Sequence, residues 1–153
     1  MLPTDLTFLR RVIRRARSLF GAFPPRDSSS RGSSSLAAKG NQGERLAYHF
    51  LRGQGYHIVA RQYRRPFGEI DLIGWEKDVL CFIEVKLRTQ LNYGRPEDAV
   101  NRKKQRQICR VARDYRRRYK LRDINYRYDI VSIWGRMENP QFQLIRGAFC
   151  ESH

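Results

Sequence analysis

An α/β domain, with a mixed five-stranded sheet between helices, is the fold class this sequence predicts. Three observations carry it. Helix-period stripes and strand-period runs follow one another as helix, three strands, helix, two strands. The runs Gly68 to Trp75 and Cys81 to Arg88 alternate apolar residues with others on either side of one short turn. A chain of 153 residues, 41% hydrophobic and 12% aromatic, suffices for a single domain with a core.

Residues 1–23 set Leu6, Leu9, Ile13, Ala16 and Phe20 at helical spacing among Arg10, Arg11, Arg14, Arg15 and Arg17. That pattern is a short basic amphipathic helix, with an Arg-rich organellar transit peptide as the minority reading. No apolar run there matches a signal-peptide core or a membrane span, so a cytoplasmic protein with no membrane partner is expected. After Pro24 and Pro25, the Ser-rich stretch from Asp27 to Ser35 has linker composition. Residues 1–35 are therefore expected to be flexible and dispensable for folding, and residues 36–153 to form the domain.

Asn41-Gln42-Gly43-Glu44 reads as a helix start, with Asn41 as N-cap and Glu44 in the capping-box position. Leu46, Ala47, Phe50 and Leu51 give its buried stripe, and Gly53 and Gly55 end it. A strand follows over Tyr56 to Tyr63. His49 and His57 stand alone, without a second ligand at metal spacing.

In the central hairpin, Ile70 and Leu72 lie on one strand face and Glu69 and Asp71 on the other. On the next strand, Cys81, Ile83, Val85 and Leu87 oppose Glu84 and Lys86. If Trp75 sits opposite Leu80, then Gly74 meets Cys81, Leu72 meets Ile83, Ile70 meets Val85, and Asp71 falls opposite Glu84. The apolar set is then buried on one face and the two acids share the other. Carboxylates about 5 Å apart repel each other unless a cation lies between them. Oxygen ligands suit magnesium or manganese, and Lys86 is spaced to hold a water or a phosphate oxygen beside the ion. The plain alternative is a solvated face on which Glu and Lys pair.

A loop with Tyr93-Gly94 precedes a long helix that Pro96-Glu97-Asp98 is expected to open, acids at its positive end. Val100, Ile108, Val111, Ala112, Tyr115 and Tyr119 form its stripe. Lys104 interrupts that stripe: it either snorkels to solvent or, with Gln105, points at the acids. The remaining faces carry Arg102, Lys103, Arg106, Arg110, Arg113, Arg116, Arg117, Arg118, Lys120 and Arg122 against the single acid Asp114. A solvated helix usually mixes signs, so this bias favours phosphate contact. Two strands complete the domain, Tyr126 to Trp134 and Phe142 to Ile145.

The order Gly40-x-x-Gly43-Glu44, Gly68-Glu69-Ile70-Asp71, Glu84-Val85-Lys86, Tyr93-Gly94, Lys104-Gln105, Tyr128-Asp129-Ile130-Val131 resembles the YraN family over residues 40–149. Members of that family look like PD-(D/E)xK nucleases. The resemblance implies a restriction-endonuclease-like core, with Asp71 and Glu84 as metal ligands, Lys86 as the catalytic lysine, and Glu44 and Gln105 as accessory groups. Glu44 thus has two readings, cap or site residue, of which the cap is favoured.

Thirty-one Lys and Arg against 15 Asp and Glu, net +16, point to a polyanionic partner. Tyrosines interleaved with the bases suit nucleic acid, although core positions account for them as well. Cys81, Cys109 and Cys150 are odd in number and lack C-x-x-C spacing, which fits a reducing compartment and argues against structural zinc. The leading expectation is a Mg2+- or Mn2+-dependent endonuclease-like protein. In it Asp71, Glu84 and the Val85 carbonyl hold the metal, and Arg102, Lys103, Lys104, Arg106, Arg110, Arg113 and Arg117 bind DNA; a homodimer is the candidate assembly. The alternative is a non-catalytic nucleic-acid-binding module that keeps the nuclease fold.

Overall fold

Ser35–Gly53 forms helix α1, whose residues Ala47 and Leu51 are fully buried. The computed structural model describes residues 35–88 and 100–151, except for the side chains of residues 35–41. The expectations for the N-terminal basic helix, the Ser-rich linker, Tyr93-Gly94 and Pro96-Glu97-Asp98 lie outside the described residues. The helix begins six residues before Asn41, so Asn41 is no cap and Glu44 occupies the third turn. Leu36, Ala37, Ala38 and Lys39 are good helix formers, and they carry the helix through Gly40 and Gly43.

Strands β1 (Tyr56–Arg65), β2 (Gly68–Glu76) and β3 (Val79–Leu87) follow, then α2 (Arg102–Arg118), β4 (Tyr126–Arg136) and β5 (Asn139–Phe149). The sheet order is β1-β2-β3-β4-β5, antiparallel except for the β3–β4 pair, which is parallel across the α2 connection. This is the expected α/β architecture, a five-stranded mixed sheet flanked by two helices, and it is consistent with a restriction-endonuclease-like core.

Both sheet faces are covered. Against α1 lie Leu72, Cys81, Ile83, Val131 and Ile133, all fully buried. On the other face α2 buries Ile108, Val111, Ala112 and Tyr115, and the Tyr115 ring meets Phe82 and Tyr63 edge-on. Fully burying each such side chain contributes about 1.5–3 kcal/mol. Tyr56, Tyr115 and Tyr128 thus belong to the core, which leaves them no role in stacking on bases.

Helix α2 starts at Arg102, after Asn101 caps it by accepting a hydrogen bond from the Lys104 N–H at 2.9 Å. Val100, expected in the helical stripe, is buried but precedes the helix. Asn101 wins the cap because its side-chain oxygen reaches a backbone N–H that would otherwise have no partner.

At the β1-start and β4-start end of the sheet, Asp129 is wholly buried among partners. It accepts from Arg127 Nε at 2.8 Å, Tyr56 Oη at 2.9 Å and the Gly147 N–H at 3.0 Å. Arg127 and Arg146 also both pair with Glu76, which ties β2, β4 and β5 together. Asp129→Ala would leave the half-buried Arg127 with Glu76 as its remaining described acid and would strip the Tyr56 hydroxyl and the Gly147 N–H of their acceptor, at a cost of about 3–5 kcal/mol. Urea unfolding should show a loss of that size, and a loss under about 1 kcal/mol would mean that the cluster relaxes to solvent.

Candidate metal and nucleic-acid site

The β2–β3 ladder follows the expected register, Trp75 opposite Leu80, Gly74 opposite Cys81 and Leu72 opposite Ile83. It stops there. Ile70 pairs with Tyr63 of β1 and not with Val85, a correction to the register read from alternation. The cause is Asp71: its Oδ2 accepts the Val85 N–H at 2.8 Å, taking the backbone donor that a continuing ladder would use. Ile70, Leu72 and Ile83 are buried as expected, whereas Val85 is half-buried at this parting of the strands.

Glu84 lies beside that parting on the α2 face and is 4% exposed. Lys86 Nζ and Lys104 Nζ both reach its Oε1, at 2.9 and 3.3 Å. Its Oε2 is buried without a hydrogen-bond partner. Lys104, the cation that interrupts the apolar stripe, therefore does turn toward the acids. Gln105 donates through Nε2 to the Val100 carbonyl at 2.8 Å, steadying the entry into α2.

Burial, followed by the Glu84 charge, pushes the Asp71 carboxyl up to about 7, against the pull of the Val85 N–H; Glu44 adds to the rise and Lys104 opposes it. Glu44 joins this group from α1. Burial raises its carboxyl above the ordinary range, opposed first by a hydrogen bond from Gln62 and then by Arg61, and its Oε2 is also buried without a partner. The capping reading fails, because Glu44 stands within the helix and faces the acids. Gly43 contributes to that placement: a Cβ there would lie 2.8 Å from Leu87 Cγ, so any larger residue would make the Leu87 side chain shift where α1 meets the end of β3.

Among the described residues no group of three or more His, Cys, Asp or Glu side chains is set to hold a metal ion. What Asp71 and Glu84 offer is an oxygen-only donor pair with one buried, unpartnered oxygen. That set fits a hard divalent cation that keeps several waters. It does not fit structural zinc, whose closed four-ligand shells are built from cysteine and histidine.

The basic residues of α2 divide into two groups. Arg113 and Arg116 approach Glu151, at 3.6 and 3.7 Å, while Arg117 approaches Asp114 at 3.6 Å. Arg110 lies over the Phe67 ring, 4.5 Å from its centroid. Arg102 and Lys103, on the first turn, are exposed and have no acid in that turn to offset them; Arg106, one turn on, is exposed as well. The sequence reading missed Glu151, which also accepts from Tyr128 Oη at 2.7 Å; its only signal was an acid in a short polar tail.

No helix among the described residues is long and apolar enough to cross a membrane. Residues 43–133 match the model of a family described as "Uncharacterised protein family UPF0102". Among similar proteins, a UPF0102 protein of Koribacter versatilis (strain Ellin345) is 43% identical over 112 residues, covering 72% of this chain and 78% of its own. One of Acetivibrio thermocellus is 40% identical over 118 residues, 73% of this chain and 91% of its own. A third, of Caldicellulosiruptor saccharolyticus, is 38% identical over 112 residues, 72% and 95% respectively. With most of the folded domain matched by the family model and by these relatives, the chain belongs to the UPF0102 family.

Proposed function

We propose that this protein is a magnesium- or manganese-dependent nuclease-like protein of the PD-(D/E)xK type that binds DNA and hydrolyses its phosphodiester bonds. The observation that carries the reading is the parting of β2 and β3, where the Glu84 charge acts on the Asp71 carboxyl and two lysines converge on one Glu84 oxygen. Acids facing an incoming phosphate are a liability to a pure DNA binder, and they become useful when they hold a cation.

Asp71 and Glu84, with the Val85 carbonyl, would hold the ion. Magnesium or manganese, when bound, supplies a Lewis acid and a water of lowered pKa. The Val85 N–H fixes the Asp71 carboxylate in place before any substrate arrives. Lys86, half-buried, carries an ammonium that stabilises negative charge building on the phosphate oxygens. Lys104 stands on the opposite helix and adds a second ammonium near the same group. Arg102, Lys103 and Arg106 at the start of α2 give the backbone contacts. Three free cysteines accord with a cytoplasmic setting.

A non-catalytic binding module is the second reading. It is favoured by one specific feature, the pairing of one Glu84 oxygen with both Lys86 and Lys104, which offsets its charge from within the protein. Purified protein on duplex, flap, junction and single-stranded substrates, with and without manganese, separates the two. The nuclease reading expects manganese-dependent product on at least one substrate; binding without product on every substrate favours the module. Binding should also be steeply salt-dependent. About five neutralised phosphates give a slope of roughly −4 to −5 in log K against log salt on duplex.

A further inference from the structure

We propose that Tyr48, Arg52 and Arg61 form a second nucleic-acid backbone contact, a ridge on the α1 face that takes phosphates flanking the acid cluster. It rests on the nucleic-acid reading above only for the class of partner.

Residues 44, 48 and 52 recur every four positions on α1, so Glu44, Tyr48 and Arg52 share one helix face. Glu44 is the group that couples α1 to Asp71, and the ridge therefore leads away from the acids along one line. Edge strand β1 supplies the other half. The Arg61 guanidinium lies 5.2 Å from the Tyr48 ring centroid, and the Arg52 guanidinium 5.7 Å from the same ring. Arg61 also acts on the Glu44 carboxylate, which joins ridge and acid cluster electrostatically. A ring holding two guanidinium groups limits their rotamer freedom, and this reduces the entropy lost when they meet a phosphate.

Arg52 and Arg61 are exposed and form no ion pair with a described acid. Arg65, Arg113, Arg116, Arg117, Arg127 and Arg146, by contrast, are each within ion-pair distance of an Asp or Glu. A planar guanidinium held against a ring, with no acid among the described residues within ion-pair distance, keeps its donors for a phosphodiester oxygen pair. Edge pairing with a peptide strand is a poor alternative use of this surface. The β1 register shifts between Ile58 and Ala60, and Gln62 has φ of 48°, both of which break the row of groups an added strand would need. With α2 on the opposite sheet face, the bound nucleic acid is held from both sides of the acid cluster.

The test is fluorescence anisotropy in chelator, using a short labelled duplex and a single strand of the same sequence, across a salt series. Arg52→Gln/Arg61→Gln should weaken binding about 10-fold or more at low salt and flatten the log K against log salt slope by about 2, with an unchanged melting temperature. Tyr48→Leu should give part of that loss, and Tyr48→Phe should restore it. Wild-type affinity and slope in the double variant would overturn the ridge, as would a wild type that binds neither probe. Should wild type bind but never cleave in manganese, the nuclease reading fails while the ridge is judged on the slope alone.

Discussion

Asp71→Asn and Glu84→Gln should each reduce manganese-dependent cleavage by about 10²-fold or more, while DNA binding in chelator stays equal or tightens slightly. The two effects have opposite electrostatic origins. Without a cation the carboxylates repel phosphate; with one they hold the charge that attracts it. Lys86→Ala should lose turnover as well, but it removes a positive charge near the phosphate and so weakens binding modestly. Each variant is compared with wild type by affinity in chelator and by rate in manganese. Should the acid variants unfold, Asp71 and Glu84 are structural partners of Val85 and the two lysines, and the module reading gains. Should they cleave at the wild-type rate, the acids have no part in the chemistry.

In chelator, wild-type protein should lose stability as the pH rises from about 4 to about 7, relative to Asp71→Asn. The folded Asp71 carboxyl titrates near 7 against an ordinary value of 3.8, so over that interval the folded chain binds more protons than the unfolded one. Stability therefore falls with pH through this window, by at most about 4 kcal/mol for a shift of this size. Asparagine carries no charge there and keeps an oxygen for the Val85 N–H, so the variant's profile should lack this component. Glu44 is raised too and acts in the same direction in both proteins, which is why the difference between them is the quantity to measure. Urea midpoints at pH 4.5 and 8 supply it, and parallel profiles would mean that Asp71 ionises without penalty. Manganese should restore stability at pH 8 in wild type only.

The element order and most of the central register were legible because alternation of side chains is a backbone property. Leu72, Cys81 and Ile83 had to share a face whatever packed on them. The register failed at Ile70 because periodicity counts side chains and cannot tell that a carboxylate will replace a carbonyl as the acceptor for the Val85 N–H. The helix starts failed for a similar reason. Asn41 and Asn101 have the same cap chemistry, but only at Asn101 does the chain enter the helix from outside. The stray Lys104 in an apolar stripe was a true signal, since a cation is retained there by an acid across the layer. Asp129 carried a comparable signal, an acid between apolar strand residues. Its partners Arg127, Tyr56 and Gly147 come from three strands, and no local pattern could assemble them.

Calorimetric titration of manganese into wild-type protein and into Glu84→Gln tests the central claim most directly, because it asks whether the acids hold a cation without requiring a substrate. The account predicts saturable binding of one ion per chain to wild type, weakening as the pH falls below 7, and no saturable binding to Glu84→Gln. No binding to wild type at pH 8, or equal binding to both proteins, would contradict it.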